Sequence, residues 1–341
     1  MKQLMFTEPG RCRWQEIPDP EPPGPGQALV RPIAVACCDL DVAVAQGRAP
    51  LPPGYAVGHE GIGEVIAVGD EVTSVAVGDR VVVPFQINCG TCRTCRRGRT
   101  GSCEFVPGRA MYGLGSIAGL DGGGFLADAV LVPYADAMLV PVPPEVDPVA
   151  VASLSDNIPD GWRTVGPYRD RLDAADPADR RMLVVGGLSI GLYAAAFGVA
   201  YGARVDYVDT DAHRLAAAER LGAIPHDRPA PDRAWDPYPL TANTSADPAL
   251  LAAALRATWP GGTCTDTGIY FGATVDLPMF EMYSRGVRLV IARADARADI
   301  PAVLDILAAG HTLAPVVDRT VAWGEAADIW PTMTTKVVFV R

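Results

Sequence analysis

The stretch "RMLVVGGLSIG", residues 181–191, decides how the fold is read. Met182 to Val185 form an uninterrupted apolar run, the pattern of a strand covered on both faces of a parallel sheet. Gly186 and Gly187 break the run, and "IGLYAAAFGVAYGA" (190–203) continues as an alanine-rich helix. Strand, glycine turn and helix in that order are the setting of a dinucleotide-binding turn. Outward from it, "RVDYVD" (204–209) reads as a strand and "AHRLAAAERLGA" (212–223) as a helix, so the βαβ alternation continues. "PHDRPAPDRAWDPYP" (225–239) is proline-rich and charged and reads as a surface loop. Asp247 followed by Pro248 reads as an N-cap with proline in the first turn, opening "ALLAAALRATW". "GTCTDTGI" (262–269) and "RLVIAR" (288–293) supply further strands.

Before residue 155 the character differs. Short β-branched segments such as "GIGEVIAVG" (61–69) and "DRVVVPF" (79–85) alternate with Gly and Pro, and the tail returns to strands with "KVVFV" (336–340). A chain of 341 residues is long enough for about two domains at ~150 residues each. Its 49% hydrophobic and 20% charged residues suit an ordinary globular protein. The net charge of −11 disfavours a nucleic-acid partner, because approach to a polyanion is repulsive overall. No apolar run reaches the ~20 residues that span a bilayer, so no membrane is expected. The start "MKQLMFTEPG" has no apolar core segment or cleavage site, which makes a cytoplasmic location the default expectation.

Eight cysteines stand at 12, 37, 38, 89, 92, 95, 103 and 264. "CGTCRTCRRGRTGSC" places Cys89, Cys92, Cys95 and Cys103 at C-x2-C-x2-C-x7-C. Four soft thiolates in one loop match a closed tetrahedral zinc site, which leaves no open position for chemistry. The first three spacings would also permit an iron–sulfur cluster. Arg93, Arg96, Arg97 and Arg99 add positive charge expected to favour thiolates.

The octet "GHEGIGEV" (58–65), with the four-cysteine loop, the βαβ half and the closing "KVVFV", resembles the zinc-dependent alcohol dehydrogenase family of the medium-chain dehydrogenase/reductase superfamily. The resemblance covers nearly the whole chain. It implies an α/β protein with a GroES-like, strand-rich catalytic domain over 1–156 and 297–341. A Rossmann domain with a doubly wound parallel sheet would cover 157–296, and the cleft between the two would hold NAD(H) and a small-molecule substrate. It implies two zinc ions per chain, one structural and one catalytic, and a homodimer or homotetramer.

In this family the first catalytic ligand lies in a pattern Cys-x-Ser/Thr-Asp, about 21 residues before the histidine. Cys38-Asp39-Leu40-Asp41 fits, with His59 21 positions on, whereas Cys37 breaks the pattern. "SLSDNIPDGW" (153–162) matches the version whose third ligand is an acid and points to Asp156. The implied site is Cys38, His59 and Asp156, with Glu60 or a water in the fourth position and Asp41 holding the His59 ring.

In the nucleotide half the implied fingerprint is Gly186, Gly187, Leu188, Ser189, Ile190 and Gly191, with Leu188 where the family has its second glycine. Asp209, 18 residues after Gly191, would bind the ribose hydroxyls and favour NAD(H) over NADP(H). Arg214 is the nearby feature that competes with that reading. Lys336 stands where the family carries a basic residue facing the pyrophosphate.

Four further positions depart from the family. Leu40 and Ala43 replace the proton relay, Asp160 stands where a threonine is usual, and Asp39 occupies a position often Gly or basic. Asp160 or Glu60 could serve as the acid/base through water. The expected activity is hydride transfer between NAD(H) and an alcohol/carbonyl pair. The alternatives are reduction of an iminium or activated alkene, which needs little proton relay, and a catalytically silent zinc scaffold. Leu40, Trp162 and residues 108–117 are the expected substrate pocket.

Overall fold

Strand Arg181–Val185 lies at the middle of a six-stranded sheet in a computed structural model of the chain. The structure describes all residues except 50, 107–109, 116–121, 174–175, 273 and 334–335. The strands run in the order Ile224–Asp227, Arg204–Asp209, Arg181–Val185, Tyr238–Asn243, Thr258–Asp266, Arg288–Ile291. Every neighbouring pair is parallel. Met182 to Val185 are fully buried, as an apolar run covered on both faces requires. The order reverses between Arg181–Val185 and Tyr238–Asn243, which is where open parallel sheets bind ligands beyond the strand ends.

Helices Ser189–Ala200, Ala212–Arg220 and Pro248–Ala257 connect these strands. Asp247 caps the last of them by accepting from the Ala249 amide, as the Asp-Pro pair predicts. The glycine turn has a steric basis. Gly187 has φ +90°, and a Cβ on it would collide with the Thr244 hydroxyl, which donates to the Gly186 carbonyl.

One expectation is corrected here. Residues 225–239 are not all loop: Pro225, His226 and Asp227 belong to strand Ile224–Asp227, and Tyr238 and Pro239 open the next one. Ile224–Asp227 is an edge strand, and an edge tolerates a proline whose missing N–H has no ladder partner.

Two compact units are distinguished: 160–293 with 308–316, which holds this sheet, and 1–159 with 294–307 and 317–341. The second is strand-rich. It contains a three-stranded sheet of Lys2–Glu8, Arg11–Glu16 and Tyr55–Ala56, and a seven-stranded sheet centred on Ala28–Ala36 and Glu60–Val68. Two registers in the larger sheet matter for function. Ala36 pairs with Glu60, which sets Cys37 and Cys38 beside His59. Ala36 also pairs with Val338, which sets Lys336 close to Cys37. Gly58, at φ +92°, makes the entry into Glu60–Val68 possible, since a Cβ there would meet the Leu126 amide at 2.9 Å. Among the described residues no helix is long and apolar enough to cross a membrane.

Candidate metal and cofactor sites

The chain turns from strand Ala28–Ala36 into helix Asp39–Ala45, and Cys38 is the N-cap of that helix. Its sulfur accepts from the Leu40 amide at 3.4 Å and from the Asn157 side-chain amide at 3.4 Å. Across the fold, Ser155 exchanges hydrogen bonds with the Gly61 backbone, which pins the turn Ala152–Ser155 against strand Glu60–Val68 and delivers Asp156. Cys38 Sγ lies 3.2 Å from Asp156 Oδ2, and His59 Nε2 lies 3.5 Å from that same oxygen. The ligand atoms of Cys38, His59 and Asp156 all fall within 4.8 Å of one another, and all three residues are buried. Cys37 is buried as well but is not in the group.

The group fits a cation. Both ring nitrogens of His59 are buried without a hydrogen-bond partner, an arrangement that costs free energy unless something is ligated there. Burial, followed by the Asp156, Glu60 and Asp41 carboxylates, pushes the Cys38 thiol well up, so only a positive charge among these groups would keep it a thiolate. Burial lowers the His59 pKa, but Asp41 and Asp156 outweigh it and raise the value to about 9, a second sign of excess negative charge. Asp41 Oδ2 accepts from the Cys38 amide at 3.0 Å, and Oδ1 stands 3.7 Å from His59 Nδ1, on the side of the ring away from Asp156. A soft sulfur, an imidazole and one carboxylate form a three-ligand set that leaves a coordination position open.

Glu60, expected with a water as the alternative in the fourth position, is not among these three residues. One of its oxygens accepts from Ser153 at 2.7 Å and Lys336 at 2.9 Å, and the other from the Asn157 amide at 2.8 Å. Burial pushes its carboxyl up, to about 7, while Lys336 pulls it down. The ammonium of Lys336 is buried and donates to Glu60, the Asn157 side chain and the Cys37 carbonyl. The register that brings Val338 to Ala36 is the cause.

In the loop 89–103 the sulfurs of Cys89, Cys92, Cys95 and Cys103 lie within 4.8 Å of one another, yet none is in a disulfide. Backbone amides donate to them: Cys89 to Cys103, Cys92 to Cys89, Cys95 to Cys92 and Glu104 to Cys92, at 3.4–3.5 Å. The Glu104 amide and the Thr94 hydroxyl lower the Cys92 thiol to about 5. Two of the four arginines are engaged otherwise, Arg93 with Glu104 and Arg99 with Asp295.

In the parallel-sheet unit, Leu188 ends the glycine turn as the N-cap of helix Ser189–Ala200, with Ser189, Ile190 and Gly191 in its first turn. Asp209 ends strand Arg204–Asp209, as the fingerprint requires, but its carboxylate is already well served. Arg214 grips it with two bonds of 2.7 Å, Tyr207 donates at 3.0 Å, and the Thr210 and Asp211 amides donate at 2.7 and 3.0 Å. Burial pushes Asp209 up, but these donors win and hold it below the ordinary carboxylate range.

Residues 24–144 match the alcohol dehydrogenase GroES-like domain family. A medium chain reductase/dehydrogenase of Acremonium sp is 32% identical over 229 residues, covering 67% of this chain and 76% of the relative. The chain belongs to the zinc-dependent alcohol dehydrogenase family of the medium-chain dehydrogenase/reductases. Zinc-type alcohol dehydrogenase B of Aspergillus flavus is 26% identical over 344 residues, covering 96% of this chain and 77% of the relative. The solved structure of an alcohol dehydrogenase from Thermus sp. matches with a TM-score of 0.87 and 27% identity, over 100% of this chain and 99% of that one. By family, therefore, this chain is an oxidoreductase.

This family member departs from the pattern for structural reasons. Leu40 packs into an apolar cluster with Phe85, Met111, Leu114, Ala294 and Ala296. Met111 and Leu114 come from the expected pocket segment 108–117, of which 108–109 and 116–117 lie outside the described residues. Trp162 belongs to the parallel-sheet unit, where its indole N–H donates to Tyr201 at 2.9 Å. Asp160, in the same unit, is paired with Arg163. The Asp39 amide donates to the Asn157 side chain at 3.2 Å. Sequence reasoning missed Asn157, which touches Cys38, Asp156, Glu60 and Lys336. Its signal was the polar run Ser-Leu-Ser-Asp-Asn at 153–157, too polar for a buried segment without a task.

Proposed function

We propose that this protein transfers a hydride between NAD(H) and an alcohol/carbonyl substrate, with Cys38, His59 and Asp156 holding a catalytic zinc and the four-cysteine loop a structural one. The observation that carries the reading is the convergence of those three buried side chains around a His59 ring with no hydrogen-bond partner. Zinc bound there would polarise the substrate oxygen, and NAD(H) would carry the hydride. The chain's own residues do the rest. The Leu40 amide and the Asn157 side chain direct N–H groups at Cys38 Sγ and favour its thiolate. Asp41 lies beside Nδ1 and leaves Nε2 for the metal. Lys336 neutralises Glu60 next to the site and limits the local negative charge.

The preference for NAD(H) over NADP(H) rests on Asp209, a buried carboxylate at the end of its strand that would repel a 2′-phosphate. Because Arg214 spends two bonds on it, Asp209→Ala has a double effect. NADH binding is expected to weaken about tenfold, from the lost charge-assisted bonds, while NADPH binding tightens as Arg214 becomes available to the phosphate. Fluorescence titration with both cofactors checks this, and an unchanged NADH/NADPH ratio would remove Asp209 as the selector.

A second reading, reduction of an iminium or activated alkene, is favoured by one observation. Leu40 is built into an apolar cluster and cannot pass a proton, and both carboxylates considered as substitutes are engaged, Asp160 by Arg163 and Glu60 by Lys336, Ser153 and Asn157. Leu40→Ser separates the readings. If the natural reaction needs no relay, alcohol oxidation by this variant stays within about twofold of the unaltered protein. A gain of tenfold or more would show that the missing hydroxyl limits an alcohol dehydrogenase reaction.

A further inference from the structure

The turn Thr100–Ser102 of the four-cysteine loop is tied to a segment far along the chain. Asp295 is buried, and both its oxygens are bonded to the loop. Oδ1 accepts from the Gly101 amide at 2.9 Å and Oδ2 from Arg99 at 3.2 Å. One residue earlier, the Ala294 carbonyl accepts from the Gln86 side chain at 2.8 Å. These pieces are packed without slack. A Cβ on Gly101 would stand 2.5 Å from Gln86 Nε2 and 2.8 Å from the Ala294 oxygen. Arg297 adds a further tie. Its Nε donates to the Ala137 carbonyl at 2.8 Å, and a Cβ on Gly90, inside the loop, would meet the Ala137 methyl at 2.6 Å.

The same segment adjoins the catalytic donors. Ala294 and Ala296 share an apolar cluster with Leu40 and Phe85. The Leu40 amide donates to Cys38 Sγ at 3.4 Å. The Phe85 ring stands 5.7 Å from the His59 ring, centroid to centroid. The Phe85 amide donates at 3.2 Å to the carbonyl of Ser155, the neighbour of Asp156. One packed layer therefore borders all three converging donors, and close-packed interiors transmit strain. All of these residues belong to the strand-rich unit. A closed four-thiolate site does no chemistry of its own. What a metal there can do is fix the loop, and the loop holds Asp295.

We propose that Asp295 is a positioning residue of the catalytic site. It ties the four-cysteine loop to the layer that borders Cys38, His59 and Asp156, so that a metal in the loop strengthens metal binding at the catalytic centre. This rests on the reading that both centres hold zinc. Linkage makes the coupling reciprocal, and couplings of this kind change affinity by about five- to 150-fold.

The test uses Co2+ as the probe on the full chain, with the unaltered protein, Asp295→Ala and Asp295→Asn. Cobalt at the catalytic centre has one sulfur ligand and cobalt in the loop has four, so the strength of the sulfur-to-cobalt absorption tells them apart. With zinc kept in the loop, as metal analysis verifies, the catalytic centre is filled with Co2+ in competition with a chromophoric chelator. Asp295→Ala is expected to weaken Co2+ there about fivefold or more. Asp295→Asn keeps an acceptor for the Gly101 amide and gives up only the pair with the exposed Arg99, so its affinity stays within about twofold. Hydrogen exchange of residues 294–300 follows the same order, faster in Asp295→Ala alone. If Asp295→Ala does not fold, Asp295→Ser takes its place, since serine suits the start of a helix but is too short to hold both loop donors. Equal Co2+ affinity in all forms, or an equal loss in the alanine and asparagine variants, overturns the proposal and leaves the two metal centres standing. An unaltered protein that leaves either centre empty overturns the zinc reading with it.

Discussion

Replacing Cys38 by alanine is expected to take the zinc content from two per chain to one and to lower kcat/KM about a thousandfold or more. The physical reason is the ligand count. Cys38 supplies the only sulfur among the three converging donors, and its loss leaves His59 and Asp156, too few to hold a metal that needs three protein ligands and one exchangeable position. Polarisation of the substrate oxygen is worth several kcal/mol, and each ~1.4 kcal/mol is a factor of ten in rate. Cys37→Ala is the control. Cys37 is as buried as Cys38, but its sulfur is outside the group, and what the fold uses of it is the carbonyl that accepts from Lys336, which alanine keeps. Cys37→Ala therefore retains both zinc ions and nearly full activity. Metal analysis and steady-state kinetics on the two variants give the answer, and a reversal of their behaviour would assign the site to Cys37.

Lys336→Met is expected to destabilise the fold by about 3–5 kcal/mol, the usual cost of removing one partner from a buried ion pair. Both members of the pair are almost inaccessible to water, with side-chain exposures of 2% for Lys336 and 0% for Glu60. Without the ammonium, Glu60 keeps only Ser153 and the Asn157 amide, and the Cys37 carbonyl and the Asn157 side chain lose a donor. The double variant Glu60→Gln/Lys336→Met removes the stranded charge and is expected to recover a large part of the loss, because contacting residues are not additive. Equilibrium or thermal unfolding of the two single variants and the double variant measures the coupling. Nearly unchanged stability in Lys336→Met would show that the pair does not support the fold.

Much of the architecture was legible because the deciding elements are local. An apolar run such as Met182–Val185 buried on both faces, a Gly-Gly break, and an Asp-Pro helix start each state their structure within a few residues. The proline-rich stretch after Ile224 was not legible. Its three strand residues are held by pairing with Arg204–Asp209, a tertiary contact that overrides the turn composition. The same division runs through the site. Cys38 and His59 could be named because the resemblance supplies their spacing, and Asp156 because it supplies a match to the stretch 153–162. The pairing of Lys336 with Glu60 spans 276 residues and depends on two strand registers, so no local pattern announces it. The tie from Gly101 to Asp295 was equally hidden, since it joins residues 194 apart. Asp209 stands between the two cases, since its place at the strand end was readable and the extent of the Arg214 clamp was not.

The most direct test of the central claim is metal analysis of the unaltered protein, purified without chelators. The account predicts two zinc ions per chain, the more weakly held one lost to a chelator together with activity. One zinc per chain, retained by the four-cysteine loop while Cys38, His59 and Asp156 hold none, would contradict it.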